Sequence, residues 1–224
     1  MISLVIPTLN AAEPLRECLA AVAGARMQGL VTEVVVADGG STDGATNVAA
    51  EEGERLVRAS GGRGGQLVAG CAAATGAWLL VLHADTRLEK GWEAAVRRHI
   101  AERPDKAGWF RFRLDDPAEI ARVWERGVNV RSRLFGLPYG DQGLLISQPL
   151  YDAVGGYRAQ PLMEDVDLVR RLGRARLAEI PARAVTSSER FEREGYWRRS
   201  GRNWRLLARY LAGARPEELA RDYE

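Results

Sequence analysis

Short, continuously apolar runs alternate with stretches in which apolar residues recur at helical spacing through the first half of the chain. ISLVIP, residues 2–7, reads as a strand. Asn10 with Glu13 three positions later has the spacing of a capping box, which predicts a helix to about Gly24. EVVVAD, residues 33–38, is apolar on both faces, as in a buried parallel strand. A short helix around Ala45–Glu51 and a weaker strand, RLVRAS, precede the glycine-rich loop GGRGGQ. GQLVAGCAAATG continues as a helix whose small residues suit close packing on a sheet. WLLVLHAD, residues 78–85, is the strongest strand, and GWEAAVRRHIAE follows as a helix. Such alternation predicts a mainly parallel α/β sheet with helices on both faces.

The second half is patterned differently. WFRFRL alternates apolar and basic side chains, the period of a strand with one wetter face. Residues 117–135 read as a helix, GLPYGDQG as a loop, LLIS as a strand, and DVDLVRRLGR as a helix. A further helix spans 196–212, and no repeat, low-complexity tract or linker divides the chain.

Composition narrows the class without changing that picture. A chain of 224 residues that is 46% hydrophobic and 28% charged fits one globular domain with a small extension. A net charge of +2 implies no overall attraction to nucleic acid. Cys18 and Cys71 lack metal-ligand spacing and suit a reduced, cytoplasmic setting. The sequence opens directly into a strand without a basic leader, and no apolar run is long enough to span a bilayer, so a soluble protein is expected.

Candidate chemistry lies where apolar runs end. VVVA leads into Asp38 of DGGSTDG, LLVLHA into Asp85, and PLM into the Glu164-Asp165 pair. The carboxyl ends of parallel strands form the rim where open α/β sheets bind ligands. Asp38 can accept hydrogen bonds from a base or ribose, and the glycines after it allow close backbone approach. The same segment also reads as a turn in which Asp43 or Ser41 caps a helix. Asp85 is an oxygen ligand suited to Mg²⁺ or Mn²⁺ shared with phosphates, and His83, two residues earlier on the strand, points to the same face and could add a ligand or hydrogen-bond a phosphate. Glu164 and Asp165 have two readings, complements to a helix dipole or a general base for a hydroxyl. The chain has no GxGxxG after its first strand, so the dinucleotide fingerprint is missing.

Taken together, PTLN at 7–10, DGGSTDG, HADT and the acidic pair occur in the order that resembles family 2 glycosyltransferases of the GT-A fold. GRGGQ, HADT, YGDQG, PLMEDVDL and TSSERFEREG further resemble a bacterial subgroup known as radical-SAM/selenodomain-associated transferases. The resemblance implies a Rossmann-like GT-A domain over residues 1–195, with a nucleotide-binding half to about 115 and an acceptor half from about 116. Residues 196–224 would form a C-terminal helical extension.

The family's roles carry over as follows. Pro7, Thr8, Asn10 and Glu13 would hold the nucleotide, Asp38 would read its base, and Arg63 and Gln66 would line its pocket. Asp85 would bind Mn²⁺ or Mg²⁺ across the donor diphosphate, with His83 beside it. Glu164 and Asp165 would supply the base, and Arg190 would contact the diphosphate. Asp141 and Gln142 of YGDQG would hold sugar or acceptor hydroxyls. The implied reaction is an inverting single displacement on a nucleotide-sugar, a UDP-sugar being favoured.

Three positions depart from the pattern. His83 replaces an acid in the metal motif, Val68 stands where many relatives have asparagine, and Glu189 stands where the subgroup has arginine. A catalytically silent nucleotide-sugar-binding or scaffold protein and a sugar nucleotidyltransferase are the rival readings, although PTLNAAE is a poor match to the latter's glycine-rich, basic loop.

The last helix sets Trp197, Trp204, Ala208 and Leu211 on one face beside a stripe of Arg198, Arg202, Arg205 and Arg209. The aromatic face either docks on the enzyme core or lies peripherally on a membrane, at its inner, cytoplasmic face, where a lipid-linked acceptor would be met.

Overall fold

The computed structural model describes residues 1–223. The first half follows the expected alternation: β1 (Ile2–Thr8), α1 (Ala12–Met27), β2 (Val31–Asp38), α2 (Ala45–Glu51), β3 (Arg55–Arg58), α3 (Gly62–Ala73) and β4 (Trp78–Val81). Next come β5 (Thr86–Leu88), α4 (Trp92–Glu102), β6 (Ala107–Leu114), α5 (Glu119–Phe135), a 3-10 turn at Gly140–Gln142, β7 (Leu144–Ser147) and α6 (Gln148–Ala153). The chain closes with α7 (Glu164–Leu172), a 3-10 turn at Arg174–Arg176, β8 (Leu177–Thr186), α8 (Glu189–Glu194), α9 (Tyr196–Leu211) and α10 (Pro216–Arg221).

These strands form one sheet in the order β3-β2-β1-β4-β7-β6-β8-β5. β1 is buried along its whole length because parallel partners flank it and helices cover both faces. Alternation sorts its side chains. Ile2, Leu4 and Ile6 join Leu15, Cys18 and Val22 of α1 in one core, while Val5 joins Leu67 and Cys71 of α3 in the other. Both cysteines are buried and free, and burial pushes each thiol up to about 12.

The sheet is mixed rather than mainly parallel throughout. β7 runs antiparallel to both β4 and β6, and β5 runs antiparallel to β8. The expected strand to residue 85 ends at Val81: Leu82 N–H to Val5 O is the last bond of the ladder with β1, and beyond it a turn closes from Thr86 N to His83 O at 3.1 Å. β5 and β8 are strands that the apolar pattern did not single out.

The Asn10–Glu13 capping box does not form. Ala11 precedes α1 without a side-chain cap, Glu13 points into solvent, and Asn10 adopts φ 48°. Its work is done from 31 residues away, where Asp43 accepts the Ala12 N–H at 2.8 Å and Ser41 accepts the Asn10 N–H at 2.9 Å. Asp43 also accepts the Ala45 N–H at the start of α2, and these backbone donors hold its carboxyl below the usual range.

GGRGGQ is the first turn of α3 rather than a loop before it. A methyl group on Gly65 would strike the Ser60 carbonyl oxygen, a backbone atom that cannot swing away. Gly65→Ala is expected to lower the unfolding free energy by about 1–3 kcal/mol, as overpacking does. A denaturant midpoint unchanged from wild type would show that α3 shifts freely.

Candidate functional site

Parallel pairing brings the ends of β1 and β2 level, with Thr8 opposite Asp38. Asp38 is buried and turned back on its own loop, accepting N–H groups of Gly40 at 2.9 Å and Ser41 at 3.2 Å. Asn10 Oδ1 accepts the Thr42 N–H at 2.9 Å, so the segment after β1 and the DGGSTDG loop are laced together. Below them Gln66 donates to Thr8 O at 2.6 Å, and a methyl group on Gly39 would meet that same amide. Pro7 and Thr8 are buried within β1, and the Thr8 hydroxyl donates to Ile6 O at 3.3 Å. An open cavity of ≈ 450 Å³ lies beside it, lined by Asp38, Gly39, Gly40, Ser41, Arg58 and Ser60. Arg58 and Ser60 were not among the residues expected here. Their signal was their place at the end of β3, directly before the glycines.

A second group assembles around Arg63. Its Nε donates to Glu164 Oε1, its terminal nitrogen lies 3.7 Å from Asp165 Oδ2, and another nitrogen lies 3.3 Å from His83 Nε2. Arg63 comes from α3, His83 follows β4, and the acidic pair opens α7, so three elements converge on one guanidinium. The two carboxylates raise the Arg63 pKa further, despite the desolvation that opposes it.

Glu164 and Asp165 differ. Glu164 is 1% exposed, and burial pushes its carboxyl above the usual range against the pull of Arg63. Asp165 is more open, and its Oδ2 accepts the Gly140 N–H at 2.7 Å while Oδ1 accepts the Val166 N–H at 2.7 Å. Gly140 is needed for that approach, because a methyl group there would run into the His83 ring and lie 3.3 Å from Asp165 Oδ2. Met163, at φ 64° and ψ 19°, turns the chain so that the pair heads α7. Arg171, paired with Asp167 one turn earlier in that helix, ties it to the preceding loop through Val154 O and Gly156 O.

The rim continues through Asp85 and Asp141. Asp85 is half-buried, and its carbonyl accepts the Ser187 N–H at 3.2 Å. Thr86 and Thr186 face each other across β5 and β8 with hydroxyls 2.9 Å apart, and Thr186 donates to Asp141 O at 3.2 Å. Burial raises the Asp141 carboxyl to about 6, Arg131 opposes this, and Asp165 and Asp85 repel it further. Its Oδ1 atom is buried without a hydrogen-bond partner among the described residues. Arg131, whose guanidinium lies 3.6 Å from the Tyr139 ring centroid, and Thr186 are site residues that sequence patterning missed.

Gln142 does not face the cleft. It is fully buried, with Oε1 accepting from Ser132 Oγ at 2.6 Å and Nε2 donating to Phe110 O at 3.3 Å. Glu13 lies in solvent on the first turn of α1, and the Arg190 side chain lies outside the described residues.

No three His, Cys, Asp or Glu side chains among the described residues cluster as a complete metal site. Asp85 and Asp141 lie near enough to repel each other, and both offer carboxylate oxygens. Oxygen donors of this type suit Mn²⁺ or Mg²⁺, which bind through one or two carboxylates with phosphate oxygens and water completing the shell.

Several solved structures share this fold. Glucosyl-3-phosphoglycerate synthase from Mycobacterium tuberculosis, in complex with Mn²⁺, UDP and glucosyl-3-phosphoglycerate, superposes with TM-score 0.56 at 20% identity, over 84% of this chain and 70% of that one. S. aureus TarS 1–349 gives 0.67 at 17% identity, over 84% of this chain and 60% of that one. Mannosyl-3-phosphoglycerate synthase from Rubrobacter xylanophilus gives 0.60 at 17% identity, over 84% of this chain and 67% of that one. Likeness at such identities speaks to fold, here the GT-A arrangement. Among curated protein sequences, none matches this chain. The family model described as Glycosyl transferase family 2 matches residues 3–161, from β1 to the loop before the acidic pair. With most of its length inside that match, the chain belongs to glycosyl transferase family 2.

Proposed function

We propose that this protein transfers a sugar, with inversion, from a nucleoside-diphosphate sugar to a hydroxyl acceptor, with a UDP-sugar as donor. The observation that carries this reading is the rim itself. Arg63 gathers Glu164, Asp165 and His83, and Asp165 and Asp141 repel each other beside Asp85. The Asp38 loop and its cavity lie at the end of the neighbouring strands. The Mn²⁺ and UDP in the mycobacterial synthase complex favour the same cofactor and base here.

Nucleoside would occupy the cavity beside Asp38, against the loop that Asn10 and Gln66 brace. Asp85, with Asp141, would hold Mn²⁺ or Mg²⁺ against the donor diphosphate; bound there, the ion neutralises charge on the leaving nucleoside diphosphate. Arg190 is our candidate for a further diphosphate contact.

Asp165 takes the proton from the acceptor hydroxyl. The freed oxygen then forms a bond to the anomeric carbon as the bond to the diphosphate oxygen breaks. Asp165 suits this role better than Glu164, because Glu164 is sealed beneath Arg63 at 1% exposure whereas Asp165 is 13% exposed. The Gly140 N–H and Arg63 hold its carboxylate in place. Asp141 would also orient a sugar hydroxyl. We place the chain in the radical-SAM/selenodomain-associated subgroup on the joint presence of GRGGQ, HADT, YGDQG and PLMEDVDL. A lipid-linked acceptor, with peripheral membrane contact through 196–212, fits the exposure of Trp197 and Trp204.

Asp165→Asn is expected to slow transfer about 10²–10⁴-fold, the range for a lost general base, with the melting temperature retained. Asp85→Ala is expected to abolish metal-dependent turnover. Wild-type rates in both variants, measured by release of nucleoside diphosphate, would overturn the assignment.

UDP with Mn²⁺ is expected to raise the melting temperature more than GDP, CDP or TDP. Saturation at about a hundred times the dissociation constant contributes roughly 2.7 kcal/mol. The shift should vanish in Asp85→Ala, and no shift with any nucleotide would favour a silent scaffold.

The raised Asp141 carboxyl makes a third expectation. Free aspartate titrates near about 4, so between there and about 6 the folded state binds more protons than the unfolded one. Stability of the metal-free protein should therefore fall as pH rises through that window. Asp141→Asn should remove this loss, melting above wild type at pH well over 6 but not below 4. Equal melting profiles would refute the burial.

A further inference from the structure

α9 does not dock by its aromatic face. Leu206 and Leu207 turn inward onto Met163, Val166 and Leu219, which leaves Trp204 and Leu211 exposed and Trp197 73% exposed. These three lie seven residues apart and form one ridge. α5 carries a second exposed ridge, in which Val123, Val130 and Leu134 share one helical face with Phe135 beside it. The ridges adjoin, because Trp124 of α5 meets Trp197 of α9 edge to face with ring centroids 5.2 Å apart.

Charge flanks the apolar ground. α9 contains five arginines and no acidic residue. Arg199 and Arg202 pair with Glu194, and Arg209 pairs with Asp222. Arg193, Arg198 and Arg205 make no ion pair among the described residues and line an open groove of ≈ 460 Å³ together with Gly201 and the Arg202–Glu194 pair, so four arginines there face one carboxylate. An apolar, tryptophan-bearing ridge beside unpaired arginines matches the boundary between acyl chains and anionic headgroups. A second copy fits less well, since a two-fold contact would oppose arginine to arginine. No helix among the described residues is long and apolar enough to cross a membrane, so the contact would lie along the surface.

We infer that α5 and α9 together form one membrane-docking face, which seats its apolar ridges in an anionic bilayer while the Arg193–Arg198–Arg205 groove takes lipid phosphates. This rests on the peripheral contact proposed for 196–212 and not on the transfer chemistry, and it adds α5 as an equal partner.

The full chain is mixed with vesicles of equimolar phosphatidylglycerol and phosphatidylcholine, or of phosphatidylcholine alone, and floated on a density gradient. Wild type is expected to float with the anionic vesicles only. Val130→Asp with Leu134→Asp should lower partitioning about tenfold or more, as should Trp204→Ser and Arg198→Glu with Arg205→Glu. All these side chains are solvent-facing, and an unchanged melting curve with the UDP and Mn²⁺ response intact confirms the fold of each variant. If Trp204→Ser fails to float but the α5 variant floats like wild type, the joint face is wrong and contact through α9 alone survives. Failure of the wild type to float overturns both. A concentration-dependent dimer in sedimentation velocity that the α5 substitutions dissolve would assign the face to a second copy and overturn the proposal. Loss of the nucleotide response with vesicle binding intact would count against the transferase reading alone.

Discussion

Parallel pairing of β1 with β2 on one side and β4 on the other is the constraint on which the other features depend. β1 has no wet face, so its register is set by burial on both sides, and a slip of one residue would exchange the two cores. With that register, Thr8, Asp38 and the exit from β4 reach the same rim. Everything chemically interesting is then a matter of which polar groups the chain delivers as it leaves the ladder.

The rim is stabilised by side chains that serve a neighbouring loop rather than their own helix. Asp43 caps α1 across a long sequence gap, and Gln66 of α3 holds the end of β1. Arg63 draws together the start of α7 and His83, two residues past β4. The two non-glycine residues with positive φ, Asn10 and Met163, both lie at this rim among the described residues. Such backbone costs of order 1–3 kcal/mol and persists where surroundings over-determine it. Here Asn10 is held by Ser41 and Thr42, and Met163 by its burial beneath α9.

Arg63 also separates the two acidic residues by environment. A planar guanidinium can meet both carboxylates and the imidazole at once, which a lysine ammonium could not reproduce in geometry. One carboxylate is sealed and the other partly exposed. Near-identical side chains thereby acquire different chemical capacities, as happens wherever burial and charge partners diverge.

Hydrophobic periodicity by itself determined the strand–helix alternation of the first half, because buried parallel strands and their covering helices write different periods into the chain. It also marked Asp38, Asp85 and the acidic pair as ends of apolar runs. It did not determine β5 or β8. β5 is only three residues long, and half-buried and exposed polar residues interrupt β8, so their pairing is decided by contacts distant in sequence. Capping was misread for the same reason, since the Asn10–Glu13 spacing is local and the partner that won, Asp43, is not. YGDQG announced polar chemistry, yet only packing could send Gln142 inward to Ser132 and Phe110 while leaving an Asp141 oxygen without a partner among the described residues. The amphipathic pattern of α9 was plain. Tertiary structure chose which side docks, because Leu206 and Leu207 find Met163 and Val166, and the tryptophans find no such partner in the core.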